Sequence, residues 1–347
     1  MWKSTPTEHV RHVAGLALAG LVALAVQPTA SDLQRFEAVE PHMGTLARIT
    51  VYTPDIETAR TAIRAGFARL AELDARLSDY KTDSELSRVT TTAVGRFVPV
   101  SDDLFTVLAA SQQLAEETRG AFDVTQGPVV QLWRQARRSG QRPDAEALAS
   151  AAARSGFRHM QLDAATRTVR FDKAGMALDV GAIGKGFAAS AALEAIGTSG
   201  VHHALVAVSG DLAFSGAPPG RSGWRIGVHD LGPDVTDLPA TVELTHAAVS
   251  TSGNSAQYVD IDGVRYSHVI DPSSASGLTD DVTVTVVAPH GLEADGLDTA
   301  VSLVGVERGI ALVERRPQTA ALVVHRTGEG TRVVASSRFK ALANTRR

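Results

Sequence analysis

Residues 282–299 read V-T-V-T-V-V-A-P-H-G-L-E-A-D-G-L-D-T, and this stretch decides the fold class. Val282 to Ala288 is rich in β-branched residues, alternates and then turns fully apolar, as a core strand does. Pro289 and Gly291 punctuate it, and from Asp295 to Glu314 the apolar spacing becomes helical. On either side the same two periods recur. Thr168 to Phe171, Ala204 to Ser209, Trp224 to His229 and Ala240 to Leu244 read as short strands, with a helix from Ile183 to Ile196 among them. Leu322 to His325 and Arg332 to Ala335 form a closing hairpin around G-E-G. Upstream, Leu46 to Tyr52 is a strand and Ile56 to Leu77 a long amphipathic helix. Ser101 caps a helix reaching Thr118, and Asp144 to Ser155 is another. Strands and helices mix without regular βα alternation, which predicts an α+β fold of mixed, largely antiparallel sheets packed with helices.

The 347 residues are enough for one large domain or two intimately packed ones. A charged fraction of 21% beside 44% hydrophobic residues argues against disorder. The net charge of −4 advertises no basic surface, so no nucleic-acid partner is expected. The chain has no cysteine, which excludes disulfides, thiolate metal sites, a cysteine nucleophile and a lipid anchor on an N-terminal cysteine. Lys3 and Arg11 precede an apolar run from Val13 to Val26, followed by Q-P-T-A-S. That run is shorter than the roughly 20 residues a bilayer span needs. It predicts a signal peptide over residues 1–30, cleaved after Ala25 or Ala30, and hence an exported, periplasmic or extracytoplasmic protein. A buried helix or an uncleaved anchor is the alternative.

Three stretches could carry chemistry. In Asp179-Val-Gly-Ala-Ile-Gly-Lys-Gly-Phe, a strand ends, a glycine-rich turn follows and a helix opens, with Lys185 beside backbone N–H groups that suit phosphates. The spacing fits neither a dinucleotide fingerprint nor a Walker loop, and a structural turn fits it equally well. In Ala294-Asp-Gly-Leu-Asp-Thr299, helical spacing brings Asp295, Asp298 and Thr299 to one face, and hard oxygens of this kind suit Mg²⁺ held with substrate phosphates. Acidic residues stabilising a helix N-terminus are the competing reading. In Tyr266-Ser-His-Val-Ile-Asp-Pro272, His268 beside Asp271 and Pro272 could be an oriented base, with an ordinary imidazole pKa near about 6.5.

Taken in order, M-G-T (Met43), S-x-Y-x-x-x-S-E-L (Tyr80), A-F-D-V-T-x-G-P, L-D-V-G-A-I-G-K-G-F, S-G-D (Asp211), S-T-S-G-N (Ser250), S-H-V-I-D-P and A-D-G-L-D-T resemble the FAD:protein FMN transferases, the ApbE-like family, from about Met43 to Gly305. The resemblance implies one ApbE-like transferase domain over residues 31–347, a compact unit of two intimately packed subdomains. It implies FAD as substrate, held by Met43, Tyr80, Ala121, Phe122, Asp123, Asp179, Lys185 and the backbone near Ile270. It further implies Mg²⁺ on the Ala182 carbonyl with Asp295, Asp298 and Thr299, His268 as base, and Lys185 neutralising charge on the diphosphate. The partner would be an exported or membrane redox protein that receives FMN on a threonine or serine, so any membrane contact would come through that target. The same groups would also serve a Mg²⁺-dependent FAD pyrophosphatase, or without catalysis a flavin-binding protein. Ser274-Ala275 stands where the family usually has Thr-Gly, Ser209 replaces the first glycine of Gly-Gly-Asp, Ser190 sits where an aspartate is frequent, and Thr90 occupies a frequent asparagine position.

Overall fold

The computed structural model describes residues 33–228, 238, 241–253, 257–328 and 330–344. The expected signal peptide, the strand ends at His229 and Ala240, Asn254 and Glu329 lie outside those residues. The chain opens with a hairpin, β1 (Gln34–His42) and β2 (Thr45–Thr53), then α1 (Ile56–Leu77) and α2 (Glu85–Thr92). Next come β3 (Val98–Pro99), α3 (Asp102–Glu117), α4 (Gly127–Ser139), α5 (Ala145–Ala153), β4 (Met160–Asp163) and β5 (Thr168–Phe171). After α6 (Gly184–Gly197) the chain is mostly strand: β6 (Ala204–Val208), β7 (Asp211–Phe214), β8 (Trp224–Gly227), β9 (Thr241–Leu244), β10 (Ala247–Gly253), β11 (Tyr258–Ile261), β12 (Val264–Ser267), β13 (Ile270–Asp271), β14 (Ser276–Gly277) and β15 (Asp281–Ala288). The tail is α7 (Gly291–Val304), α8 (Val306–Glu314), β16 (Ala320–Thr327), β17 (Gly330–Ala335) and α9 (Ser337–Asn344).

The main sheet runs β1-β2-β6-β7-β10-β15-β16-β17, and every neighbouring pair in it is antiparallel. A second small sheet, β3-β5-β4, is also antiparallel, and the parallel pairings among the described residues are isolated bridges, Val94 with Phe171 and Gln126 with Ala177. The α+β expectation therefore holds.

Local sequence explains each element that frames the site. Asp55 caps α1 by accepting the Thr58 N–H, and Phe67, Leu70, Leu73 and Leu77 form its buried stripe. Burying side chains of this size stabilises the fold by about 1.5–3 kcal/mol each. Helix α6 is built from small residues: Ala188, Ala189, Ala191 and Ala192 are buried. Small side chains let it lie close between α1 and α7. A Cβ on Gly66 of α1 would meet Ile49 at 2.7 Å and Ile196 of α6 at 3.0 Å. The approach of α6 to α7 is closer still. A Cβ on Gly186 would lie 2.1 Å from the Gly291 carbonyl oxygen, and one on Gly291 would lie 2.0 Å from that of Gly186.

Three expectations need correction. The helix expected from Asp295 to Glu314 is two helices, because Gly305 at φ 85° ends α7 and starts α8, and the first of them begins earlier, at Gly291. No strand ends at Asp179; Ala177 makes a single bridge to Gln126 and the segment continues as an irregular loop into α6. Asp271 does not orient His268, since its carboxylate accepts from Ser273 and Ser274 and so holds its own turn. Among the described residues, no helix is long and apolar enough to cross a membrane.

Candidate active site

A cavity of about 650 Å³ opens where the ends of β7 and β10 meet the starts of α6 and the second turn of α7. Of the residues singled out from the sequence, Met43, Tyr80, Phe122, Asp123, Asp179, Ala182, Lys185, His268, Ile270, Asp295, Asp298 and Thr299 line it, and Ala121 does not. Residues more than 200 positions apart thus share one wall.

One end is acidic. Asp211, Asp295 and Asp298 are buried, and one oxygen of each lies within 4.8 Å of the others. Asp295 is in the second turn of α7, not at its cap; its Oδ2 accepts the Gly186 N–H of the neighbouring helix at 2.8 Å. The cap of α7 is supplied from outside: Ser190 Oγ accepts the Gly291 N–H at 2.8 Å. That contact gives Ser190 a structural task. Ser250 Oγ donates to Asp298 Oδ2 at 2.6 Å and also touches Asp211 Oδ1, although a hydroxyl has one proton to give. Thr299 Oγ1 donates to Asp298 Oδ1 at 3.1 Å.

Lys185 is the only cation in ion-pair contact with this cluster among the described residues, 3.2 Å from Asp211 Oδ2 and 3.6 Å from Asp295 Oδ1. Its Nζ also donates to the Gly181 carbonyl at 2.8 Å, so the lysine folds back over the glycine-rich loop. Burial alone would lower the Lys185 pKa, but Asp295, Asp211 and Asp298 outweigh it and raise it. Burial raises Asp295 to about 7, reinforced by Asp211 and opposed by Lys185 and the Gly186 N–H. Burial, then Asp295 and Asp211, push Asp298 well above the ordinary carboxylate range. Fully ionised, three carboxylates against one ammonium would carry a net charge of −2, which bound protons relieve in the metal-free protein and a dication would offset; the donors are all hard oxygens. A divalent cation such as Mg²⁺ fits this set, and Thr299 and Ala182 also line the cavity.

His268 is half-buried at the rim. Its Nδ1 lies 3.2 Å from the Gln257 carbonyl, which can only accept, so Nδ1 carries the proton and Nε2 offers a lone pair. Burial and then Lys185 lower its pKa to about 4, against the opposing carbonyl bond. The ordinary value expected from sequence is thus corrected. The imidazole is neutral at pH 7 and can take a proton, though it holds one less tightly.

The other end is aromatic and cationic. Tyr80 is 68% exposed at the cavity mouth, near the Met43-Gly44 turn of the first hairpin. Arg134 of α4 lies over its ring, Cζ 4.4 Å from the centroid. The same guanidinium donates to Asp179 Oδ2 at 2.7 Å and to Asp79. Asp179 in turn accepts the Gly181 N–H at 2.8 Å and so shapes the glycine-rich loop. Asp123 is occupied within its own loop, accepting from Thr125 and from the Phe157 N–H, and acts there as a brace.

Asp211, Ser250, Asp79 and Arg134 were not assigned from sequence. Asp211 and Ser250 were legible only as members of motifs: Asp211 opens β7 and Ser250 sits in the middle of β10. Arg134 had a signal: Val130, Arg134 and Arg137 fall at helical spacing on one face of α4, and all three line the cavity.

The profile of the ApbE family matches residues 43–323. A curated FAD:protein FMN transferase of Klebsiella pneumoniae is 33% identical over 304 residues, 86% of each chain. Its counterpart in Vibrio cholerae is 31% identical over 331 residues, covering 94% of this chain and 97% of the relative. Among solved structures, the flavin transferase ApbE from Vibrio cholerae superposes with a TM-score of 0.81 at 30% identity, over 89% of this chain and 99% of that one. The flavinyl transferase ApbE of Pseudomonas stutzeri gives 0.76 at 31% identity, over 90% and 97%.

Proposed function

This chain belongs to the ApbE family, and from that premise we propose that it is a Mg²⁺-dependent enzyme that cleaves FAD and attaches the FMN half to a hydroxyl of another protein. The observation that carries the reading is the cavity's polarity: a cation-deficient carboxylate cluster at one end and an exposed aromatic ring at the other. A flavin dinucleotide has the complementary parts, a flat ring system and a doubly charged diphosphate.

Asp211, Asp295, Asp298, Thr299 and the Ala182 carbonyl would hold Mg²⁺, which supplies charge neutralisation at the diphosphate when bound. Lys185 lies beside that cluster and neutralises charge that builds on the phosphoryl oxygens. The acceptor hydroxyl oxygen attacks the FMN phosphorus, a phosphoester forms, and the bond to the AMP oxygen breaks. The hydroxyl proton passes to Nε2 of His268 and leaves with AMP. A threonine or serine is the acceptor type that fits this step.

Incubation with FAD and Mg²⁺, with and without a hydroxyl-bearing acceptor peptide, tests the reading. Covalent FMN on the peptide with equimolar AMP is the expected result. Free FMN and AMP at the same rate with or without peptide would make the protein a pyrophosphatase, and no turnover with tight FAD binding would make it a carrier.

The basic and apolar N-terminus further supports export, with the segment before Val26 or Ser31 removed. Recovery of the protein from the cytoplasm with Met1 to Val26 intact would refute that part.

A further inference from the structure

Arg134 joins three groups that come from different parts of the chain. Asp79 and Tyr80 follow the end of α1, and Asp179 opens the loop that carries Ala182 and Lys185. The guanidinium donates to both carboxylates with separate nitrogens and its Cζ sits 4.4 Å from the centroid of the tyrosine ring. Arg134, Asp79 and Asp179 are all nearly withdrawn from solvent, with side-chain exposures of 15%, 16% and 11%. Tyr80 is their opposite, 68% exposed to the cavity mouth. Nothing in its own short segment fixes such an open ring. Its backbone N–H bonds Ser78 Oγ at 3.3 Å, and the side chain rests on the arginine.

The two carboxylates depend on Arg134 in turn. Burial and Asp179 raise the Asp79 pKa even with the guanidinium opposing them, so the pair would repel without the bridge. Withdrawing the arginine would let the Ser78–Tyr80 turn and the Asp179–Lys185 loop separate. The turn lies at the aromatic end, and the loop runs from Asp179 at that end to Lys185 at the carboxylate cluster.

We propose that Arg134 is a positioning residue: by clamping Asp79 and Asp179 together under the ring of Tyr80, it sets the span between the aromatic end and the diphosphate end of the cavity. The proposal rests on the flavin-transferase reading and adds to it a determinant of how the dinucleotide is measured. Arg134 touches no reacting atom, so its influence falls on affinity for the whole ligand and leaves the chemical step alone.

Arg134→Lys keeps the charge but loses the planar face and the two-pronged bridge. Asp79→Asn is the second variant; it frees the tyrosine turn while leaving the contact between Arg134 and Asp179. FAD affinity is read by quenching of flavin fluorescence, and maximal rate by AMP release at saturating FAD. Each variant is expected to bind FAD about tenfold more weakly, with a maximal rate within about threefold of the wild type. Tyr80→Ala should weaken binding similarly, and Arg134→Lys should cost less on top of Tyr80→Ala than it does alone, because part of its effect passes through the ring. Additive losses, a lowered maximal rate at unchanged affinity, or wild-type affinity in both Arg134→Lys and Asp79→Asn would overturn the proposal. A wild-type protein that binds no FAD is a separate outcome, which removes the flavin reading and this inference with it.

Discussion

The cavity has two carboxylate clusters, and they are balanced differently. At the mouth, Asp79 and Asp179 share Arg134, and each carboxylate accepts from its own guanidinium nitrogen. At the inner end, Asp211, Asp295 and Asp298 meet one cation among the described residues, Lys185, and Ser250 Oγ contacts two carboxylates with one proton to give. Both clusters exceed their cations, but the inner one does so in a fully buried setting, where an unpaired charge costs most. A cluster made for structure alone would not be left in that state. The mouth cluster joins three segments of the chain, and the inner cluster is one that could hold a metal ion.

Substitution at the inner end should therefore give the largest effect. Asp295→Ala removes an anionic ligand of a cation that proteins bind weakly, and turnover should fall below detection, more than about 10³-fold, with the circular-dichroism spectrum unchanged. Full activity of that variant in Mg²⁺-limited buffer would break the contrast. Asp298→Ala should be milder.

His268 stands between the two ends and tests whether the inner cluster reaches it. His268→Ala should leave FAD affinity nearly unchanged and slow single-turnover transfer by about 10²–10⁴-fold. With the imidazole pKa held down, the wild-type rate should fall only as pH drops toward about 4, and the variant should lose that acidic limb. A large loss of FAD affinity with a near-normal transfer rate would show instead a histidine that supports its turn.

Stability separates the clusters without any catalysis. Asp295 has a folded pKa raised to about 7 from an ordinary 3.8, so the folded state holds the proton more tightly than the unfolded chain does. By linkage, metal-free protein loses stability as pH rises from about 4 to about 7 through this group. Mg²⁺ should reverse the loss at pH 7 and raise the melting midpoint by about 2–4 °C per kcal/mol of linkage, and that rise should vanish in Asp295→Ala. Equal Mg²⁺ stabilisation of both proteins would mean that the cation sits elsewhere.

The smallest effects concern backbone strain. Ser209 and Ala275 hold φ at 59° and 50°, in the left-handed region that favours glycine. Ser209 is exposed, so Ser209→Gly should gain up to ~1 kcal/mol in thermal melts. Ala275 is buried beside Trp133, and in Ala275→Gly the loss of a buried methyl, ~0.8 kcal/mol, should cancel most of the relief. If Ser209→Gly also abolished the response to Mg²⁺, the strain at the inner end would be mechanical as well as electrostatic.

What could be read in advance follows the range of the forces involved. The boundaries of α1 and the serine cap of α3 came from periodicity and capping, which are local. The break at Gly305 was missed because one glycine does little to a hydrophobic pattern until its φ is known. Asp295, Asp298 and Thr299 shared a face by helical geometry, and the chain carried that signal directly. Asp211 lies 84 positions before Asp295, and only the pairing of β7 with β10 beside α7 brings them together. The clamp at Arg134 required three distant segments to meet, so motif order passed over it.

The crossing of α6 and α7 at Gly186 and Gly291 bears on how a mutational scan of this protein should be interpreted. Any side chain at either position would have to pass through the other helix's backbone, so both positions will register as intolerant as an active-site aspartate. Neither contributes a side chain to the reaction. The crossing tethers the lysine's helix to the aspartates' helix at a separation that only two hydrogens permit, and widening it by one methyl group would draw Lys185 away from Asp295. An inactive variant at Gly291 would therefore report a lost distance and not a lost functional group.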